Sequence, residues 1–206
     1  MAETPRRARG ARQPRKVTPT YLENAALHYL QRFASSSANL RRVLLRKVRR
    51  SAEAHGTDPN EGVAWVDTLI DRYRRAGLLD DAAYASAKAA SLARRGTSPR
   101  GIRQKLAAKG VEGELIDESI GELGENADLR AAVNFARRRR IGPFRAAPVG
   151  ARKVAATAAA ASEKDLAAFG RAGFSYDIAR RVLGCADEAA VEDMLAEEAA
   201  TTGRQA

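Results

Sequence analysis

The residues best equipped for chemistry are arginines. Arg94, Arg95, Arg100, Arg103 and Lys105 fall within twelve positions, and Arg41, Arg42 and Arg46 form a second group backed by Lys47, Arg49 and Arg50. A guanidinium is planar, permanently charged and carries its donors in a fork that matches carboxylate and phosphate oxygens, so these groups suit binding of an acidic partner. They do not suit bond making. The chain has no P-loop, no dinucleotide-binding glycine pattern, no nucleophile elbow and no His or Cys set at metal-ligand spacing, so no enzyme activity, metal or cofactor is expected. His28 and His55 stand alone, and the single Cys185 excludes an intrachain disulfide.

The positioning elements are legible around Gly77 to Gly110. Gly77 suits the left-handed end of one helix, and Asp80 or Asp81 can accept the unpaired N–H groups that open the next. Ala82 to Arg95 then carries Tyr84, Ala85, Ala89 and Leu92 at helical spacing until Gly96. Ser98 stands where an N-cap belongs, with Pro99 at the first helical position, Ile102 and Leu106 four apart, and Gly110 as the stop. Elsewhere Thr20 to Glu23 fits a capping box, Ser36 or Ser37 can cap a helix through Leu40, Leu44 and Val48, and Asp58-Pro59 opens another. Aromatic content of 5%, abundant Ala and the lack of Val/Ile/Thr runs between turns give an all-α fold class.

The organisation read from these signals is a disordered basic tail at 1–17, a first three-helix unit at 18–76, a second at 77–124 and a connecting helix at 125–140. An Ala/Pro linker at 141–161, a third unit opened by Ser162 at 162–200 and a fraying end at 201–206 complete it. The anchor pairs Leu40/Leu44, Ile102/Leu106 and Ile178/Val182 repeat, preceded by Leu30 and Leu92 at ten residues and by Phe169 at nine. Small units of this kind bury little surface alone, which predicts packing in series as an elongated array. The net charge of +11 favours an anionic partner. No apolar run approaches the roughly 20 residues of a membrane-spanning helix, so a cytoplasmic protein without membrane contact is expected, and a monomer. Arg137 to Arg140 reads as a cationic helix terminus favoured by the macrodipole.

Gly77-Leu78-Leu79-Asp80-Asp81 with Tyr84-Ala85, then Arg94-Arg95-Gly96, Pro99-Arg100, Ile102 to Leu106 and Lys109-Gly110-Val111 resemble the RecX regulatory family. Weaker similarity runs through Leu40-Arg41-Arg42 and Gly173 to Asp177; the basic tail and the Ala-rich insertion depart from the pattern. The resemblance implies three tandem three-helix repeats and a non-enzymatic regulator that lies in the groove of the RecA filament and suppresses ATPase and strand exchange. On that reading Arg41, Arg42, Arg46, Arg94, Arg95, Arg100, Arg103 and Lys105 contact RecA or DNA, and binding to single- or double-stranded DNA is weak and salt-sensitive. The competing class is a helix-turn-helix DNA-binding protein that acts without RecA.

Overall fold

The computed structural model describes residues 14–145 and 155–202, and every regular element among them is helical. The chain divides at Asp80/Asp81 into two compact units, each taken by itself.

The first unit contains α1 (Pro19–Leu30), α2 (Ser37–His55) and α3 (Pro59–Arg75). Leu22, Ala26, Leu40, Leu44, Val48, Val66 and Ile70 recur at helical spacing and close one core. Thr18 opens α1, accepting the Tyr21 N–H at 3.2 Å, with Pro19 in the first helical position. The helix therefore starts ahead of the expected Thr20 box, because proline holds the helical φ there without giving up a needed donor. Glu23 meets the Arg72 guanidinium at 2.5 Å. The tail expected over 1–17 also ends sooner than read. Val17 is buried and its N–H donates to Ser51 Oγ at 2.9 Å, while residues 1–13 lie outside the described ones.

The second unit begins with α4 (Asp81–Arg94), α5 (Pro99–Ala107) and α6 (Gly113–Gly121), closed over Ala85, Ala89, Leu92, Ile102, Leu106 and Ile116. It continues through α7 (Ala127–Arg139), a 3-10 turn at Gly142–Phe144, α8 (Ala155–Ala172), α9 (Tyr176–Gly184) and α10 (Glu188–Thr202). The helix expected only to connect, α7, buries Leu129, Ala132, Val133 and Ala136 against Phe169, Ala179, Val182 and Val191. Their spacing is that of an amphipathic core helix, so α7 belongs to the third core. The expected linker narrows correspondingly. Arg145 pairs with the buried Asp165 at 2.7 Å and the Gly142 N–H donates to the same carboxylate at 3.0 Å, which ties the turn to α8. Ser162 lies inside α8 and does not open a helix, because the alanines before it have the strongest helix propensity of any residue. Residues 146–154 lie outside the described ones.

One register detail differs from the expected repeat. Ser36, Ser98 and Ser175 each accept the N–H of the third residue on, from Asn39, Gly101 and Ile178. Leu30, Leu92 and Phe169 each stand six positions before that serine. Counted from the cap, the third anchor is Ala179, buried like Leu40 and Ile102, whereas Ile178 is half-buried. The spacing of ten then holds in all three, because the cap and not side-chain bulk fixes which face turns inward.

Candidate anion-binding cleft

The site is built on the turn between α4 and α5. Gly96 ends α4 with φ of +73°, its N–H reaching the Ala93 carbonyl and the Thr97 N–H reaching that of Leu92, a Schellman closure. A Cβ on Gly96 would lie 2.5 Å from the Phe135 backbone nitrogen, so only glycine allows the turn to press against α7. Ser98, fully buried, accepts the Gly101 N–H at 3.2 Å and donates its hydroxyl to the Ala172 carbonyl at 2.6 Å. One side chain thereby caps α5 and fastens it to the end of α8. Arg138 donates to the Arg95 carbonyl, a third tie across the same junction.

Between these elements lies a cleft of about 510 Å³. Arg95, Gln104 and Lys105 line one side, and Phe135, Arg138 and Arg139 the other. No carboxylate, histidine or cysteine is among the lining residues. The Arg139 guanidinium lies over the Phe135 ring at 5.7 Å, and Phe135 in turn packs on Phe169 and Phe174 at 5.1 and 5.5 Å between centroids. Two of the four cations are thus held in place by contacts that do not consume their charge. The chemistry available is capture of an oxyanion by forked donors, with no nucleophile or general base beside it.

The structure sorts the arginines named from sequence. Arg95 and Lys105 enter the cleft, and Arg94 and Arg100 are exposed at the end of α4 and the start of α5. Arg103 pairs with Asp117 of α6, so part of its charge serves the second core. In the first unit Arg41 gives two hydrogen bonds to Asp67, at 2.6 and 3.1 Å, and these hold the Asp67 carboxyl below its ordinary value. Arg42 and Arg46 are exposed on α2. Asp67 of α3 thus meets this basic α2 face, and within α2 Arg49 lies 3.8 Å from Glu53. The capping residues Gly77 and Gly110 take φ of +70° and +76°, Ser98 and Pro99 open α5, and Asp80 immediately precedes Asp81 at the start of α4.

The run Arg137 to Arg140 is where sequence reasoning stopped short. Arg137 turns toward α10, meeting Glu188 at 2.9 Å and Glu192 at 2.6 Å, and the Glu192 hydrogen bond leads in raising its already high pKa. Arg138 and Arg139 turn into the cleft, and Arg140 ends α7 in the left-handed region at φ of +53°. Successive residues on an α-helix point about 100° apart, so a run of four spreads around most of the helix. That rule was the available signal that the run serves more than a helix terminus.

Residues 80–120, which span the second core, match the family model described as "RecX, second three-helix domain". A "Regulatory protein RecX" from Myxococcus xanthus (strain DK1622) is 46% identical over 179 residues, covering 86% of this chain and 92% of that protein. The chain belongs to the RecX family. A second RecX, from Agrobacterium fabrum (strain C58 / ATCC 33970), is 34% identical over 185 residues, covering 90% of this chain and 93% of its own. The "Crystal structure of RecX from Lactobacillus salivarius" matches the fold at a TM-score of 0.57 and 16% identity, covering 82% of this chain and 96% of that one. The all-helical fold built from three-helix repeats is therefore the RecX fold. Among the described residues no helix is long and apolar enough to cross a membrane.

Proposed function

We infer that this protein binds the RecA filament and lowers its ATPase and strand-exchange activities, acting as a cytoplasmic, non-enzymatic regulator of recombinational repair. The observation that carries this reading is 46% identity across nearly the whole length of a relative named a regulatory protein. Its physical support is a strongly basic surface without catalytic groups in the cleft, suited to an anionic assembly. Arg94 and Arg100 are the contacts to examine first, because both are exposed and neither lines the cleft.

The test is a titration of this protein into RecA hydrolysing ATP on single-stranded DNA. Hydrolysis is expected to fall in proportion to bound protein, and Arg94→Glu with Arg100→Glu to shift the inhibitory range to higher concentration. Unaltered hydrolysis in the presence of folded wild-type protein would remove the proposal. Sequence-specific duplex binding at moderate salt would instead favour a helix-turn-helix regulator acting without RecA.

A further inference from the structure

We propose that α10 is an autoinhibitory latch, whose carboxylates hold Arg137 of α7 and Arg181 of α9 away from any anionic partner and which opens locally when those ion pairs are screened or outcompeted. The proposal concerns this helix alone and does not depend on the RecA reading.

The composition of α10 sets it apart. In a chain of net charge +11, Glu188–Thr202 carries five carboxylates and no lysine or arginine. Glu197 and Glu198 stand toward its C-terminal end, where the macrodipole disfavours negative charge, so the helix has little support of its own. It depends on what it docks against.

Two clasps hold it, one toward each end. Arg137 meets Glu188 at 2.9 Å and Glu192 at 2.6 Å, and Arg181 meets Glu198 at 2.5 Å, while the Glu198 carbonyl accepts the Asn126 side-chain N–H at 3.3 Å. The apolar stripe between the clasps is short. Val191 is fully buried and Met194 and Leu195 are half-buried, but one turn further along the same face stands the carboxylate of Glu198. In the same core α7 buries five side chains. Under the stripe the Met194 sulfur lies 3.9 Å from the sulfur of Cys185, the single cysteine of the chain.

Ion pairs between half-exposed groups each contribute little and weaken in salt, and an element with few buried contacts is the first to open. Opening α10 frees two guanidinium forks and bares the Cys185 thiol. Closed, its carboxylates sit on Arg137 and Arg181 where the oxyanions of a partner would sit.

The experiment follows alkylation of Cys185 by neutral iodoacetamide in the full chain without RecA, read by intact mass and normalised to a cysteine peptide in the same buffer. Glu188→Gln with Glu192→Gln releases the Arg137 clasp at two exposed positions. Glu163→Gln with Asp193→Asn is the control, removing two exposed acids of the same unit that do not meet either arginine. At about 0.05 M salt the latch variant is expected to react about threefold or more faster than wild type, and the control to stay within about twofold. Wild type should catch up with the latch variant at about 1 M salt, where the Debye length is about 3 Å.

Arg181→Gln separates opening from a change in local field. Burial raises the Cys185 pKa and the Arg181 charge lowers it, so loss of that charge alone would slow alkylation, whereas opening speeds it. Faster reaction is expected. Amide exchange by mass spectrometry should accelerate in α10 while α7 and α9 stay protected. At about 0.05 M salt, labelled heparin should bind the latch variant about threefold more tightly than the control of equal net charge, because only the former has Arg137 released.

Equal alkylation rates in the latch variant and the control would overturn the proposal, as would slower reaction of Arg181→Gln or acceleration of exchange shared by α7, α9 and α10. Heparin binding that is equal in the two would overturn it as well, since α10 would then withhold nothing. If the Glu188 and Glu192 double variant melts early by circular dichroism, Glu198→Gln alone decides, and an unchanged alkylation rate would then refute the latch. None of these outcomes bears on the titration into RecA, which tests the filament reading by itself.

Discussion

Ser98→Ala tests whether the α4–α5 turn is held from two sides. The hydroxyl accepts the Gly101 N–H as an N-cap, a role whose removal costs about 1 kcal/mol. It also donates to the Ala172 carbonyl at 2.6 Å, and losing that bond leaves an acceptor partly shielded from water, a further cost of about 1–2 kcal/mol. The expected loss is therefore about 2–3 kcal/mol. Ser175→Ala supplies the control within the same unit. Ser175 is an exposed cap whose hydroxyl oxygen accepts the Ile178 N–H at 3.3 Å, so its removal should cost about 1 kcal/mol and no more. Urea unfolding followed by circular dichroism reads the difference, and the single Trp65 reports the first unit separately by fluorescence. With a urea slope of about 1–3 kcal/mol/M, Ser98→Ala should lower the second unit's midpoint by roughly 0.7–3 M while the Trp65 transition stays in place. Equal losses for the two serines would refute the tie to α8 and leave Ser98 as an ordinary cap.

Gly96→Ala should cost more than about 2 kcal/mol, since it adds a clash with the Phe135 backbone to the strain of a positive φ. Gly77→Ala has the same strain with open space around it and should cost about 1 kcal/mol; thermal melts that rank the two alike would deny the close approach. Leu106→Ala, at a fully buried position, should destabilise by about 2–5 kcal/mol in urea unfolding, and a loss below about 1 would argue against a shared core for α4, α5 and α6. The Arg41–Asp67 pair is half-exposed, so Arg41→Gln should cost under about 1 kcal/mol at neutral pH. Because Arg41 lowers the Asp67 pKa on folding, that contribution is present above the ordinary aspartate value near 3.8 and fades as pH falls through the lowered one. Wild type and Arg41→Gln should therefore converge in stability toward acid, and a gap that widened there would reverse the assignment.

Local signals in the chain determined most helix starts and stops. A capping side chain, a proline after it and a glycine in the left-handed region each act within a few residues, so Asp58-Pro59, Ser98-Pro99 and Gly110 were legible without any tertiary information. The same locality allowed two misreadings: at Thr20, where Thr18 also could cap and Pro19 decided between them, and at Ser162, which lies inside α8. Apolar periodicity likewise named Leu129 and Val133 but could not say what α7 packs against; that depends on Phe169, Ala179, Val182 and Val191, which lie on α8, α9 and α10. The fate of each cation was less legible still. Arg41 meets an acid 26 positions away and Arg137 one 51 positions away, separations that only folding closes. Two neighbours in one run, Arg137 and Arg138, were divided between an acidic helix and a basic cleft because they point about 100° apart and packing brings Glu188 and Glu192 of α10 to the side of Arg137. Charge type and number belong to the sequence. Which charges remain available to a partner is decided by the packing that carries acids to some and leaves others facing a cleft.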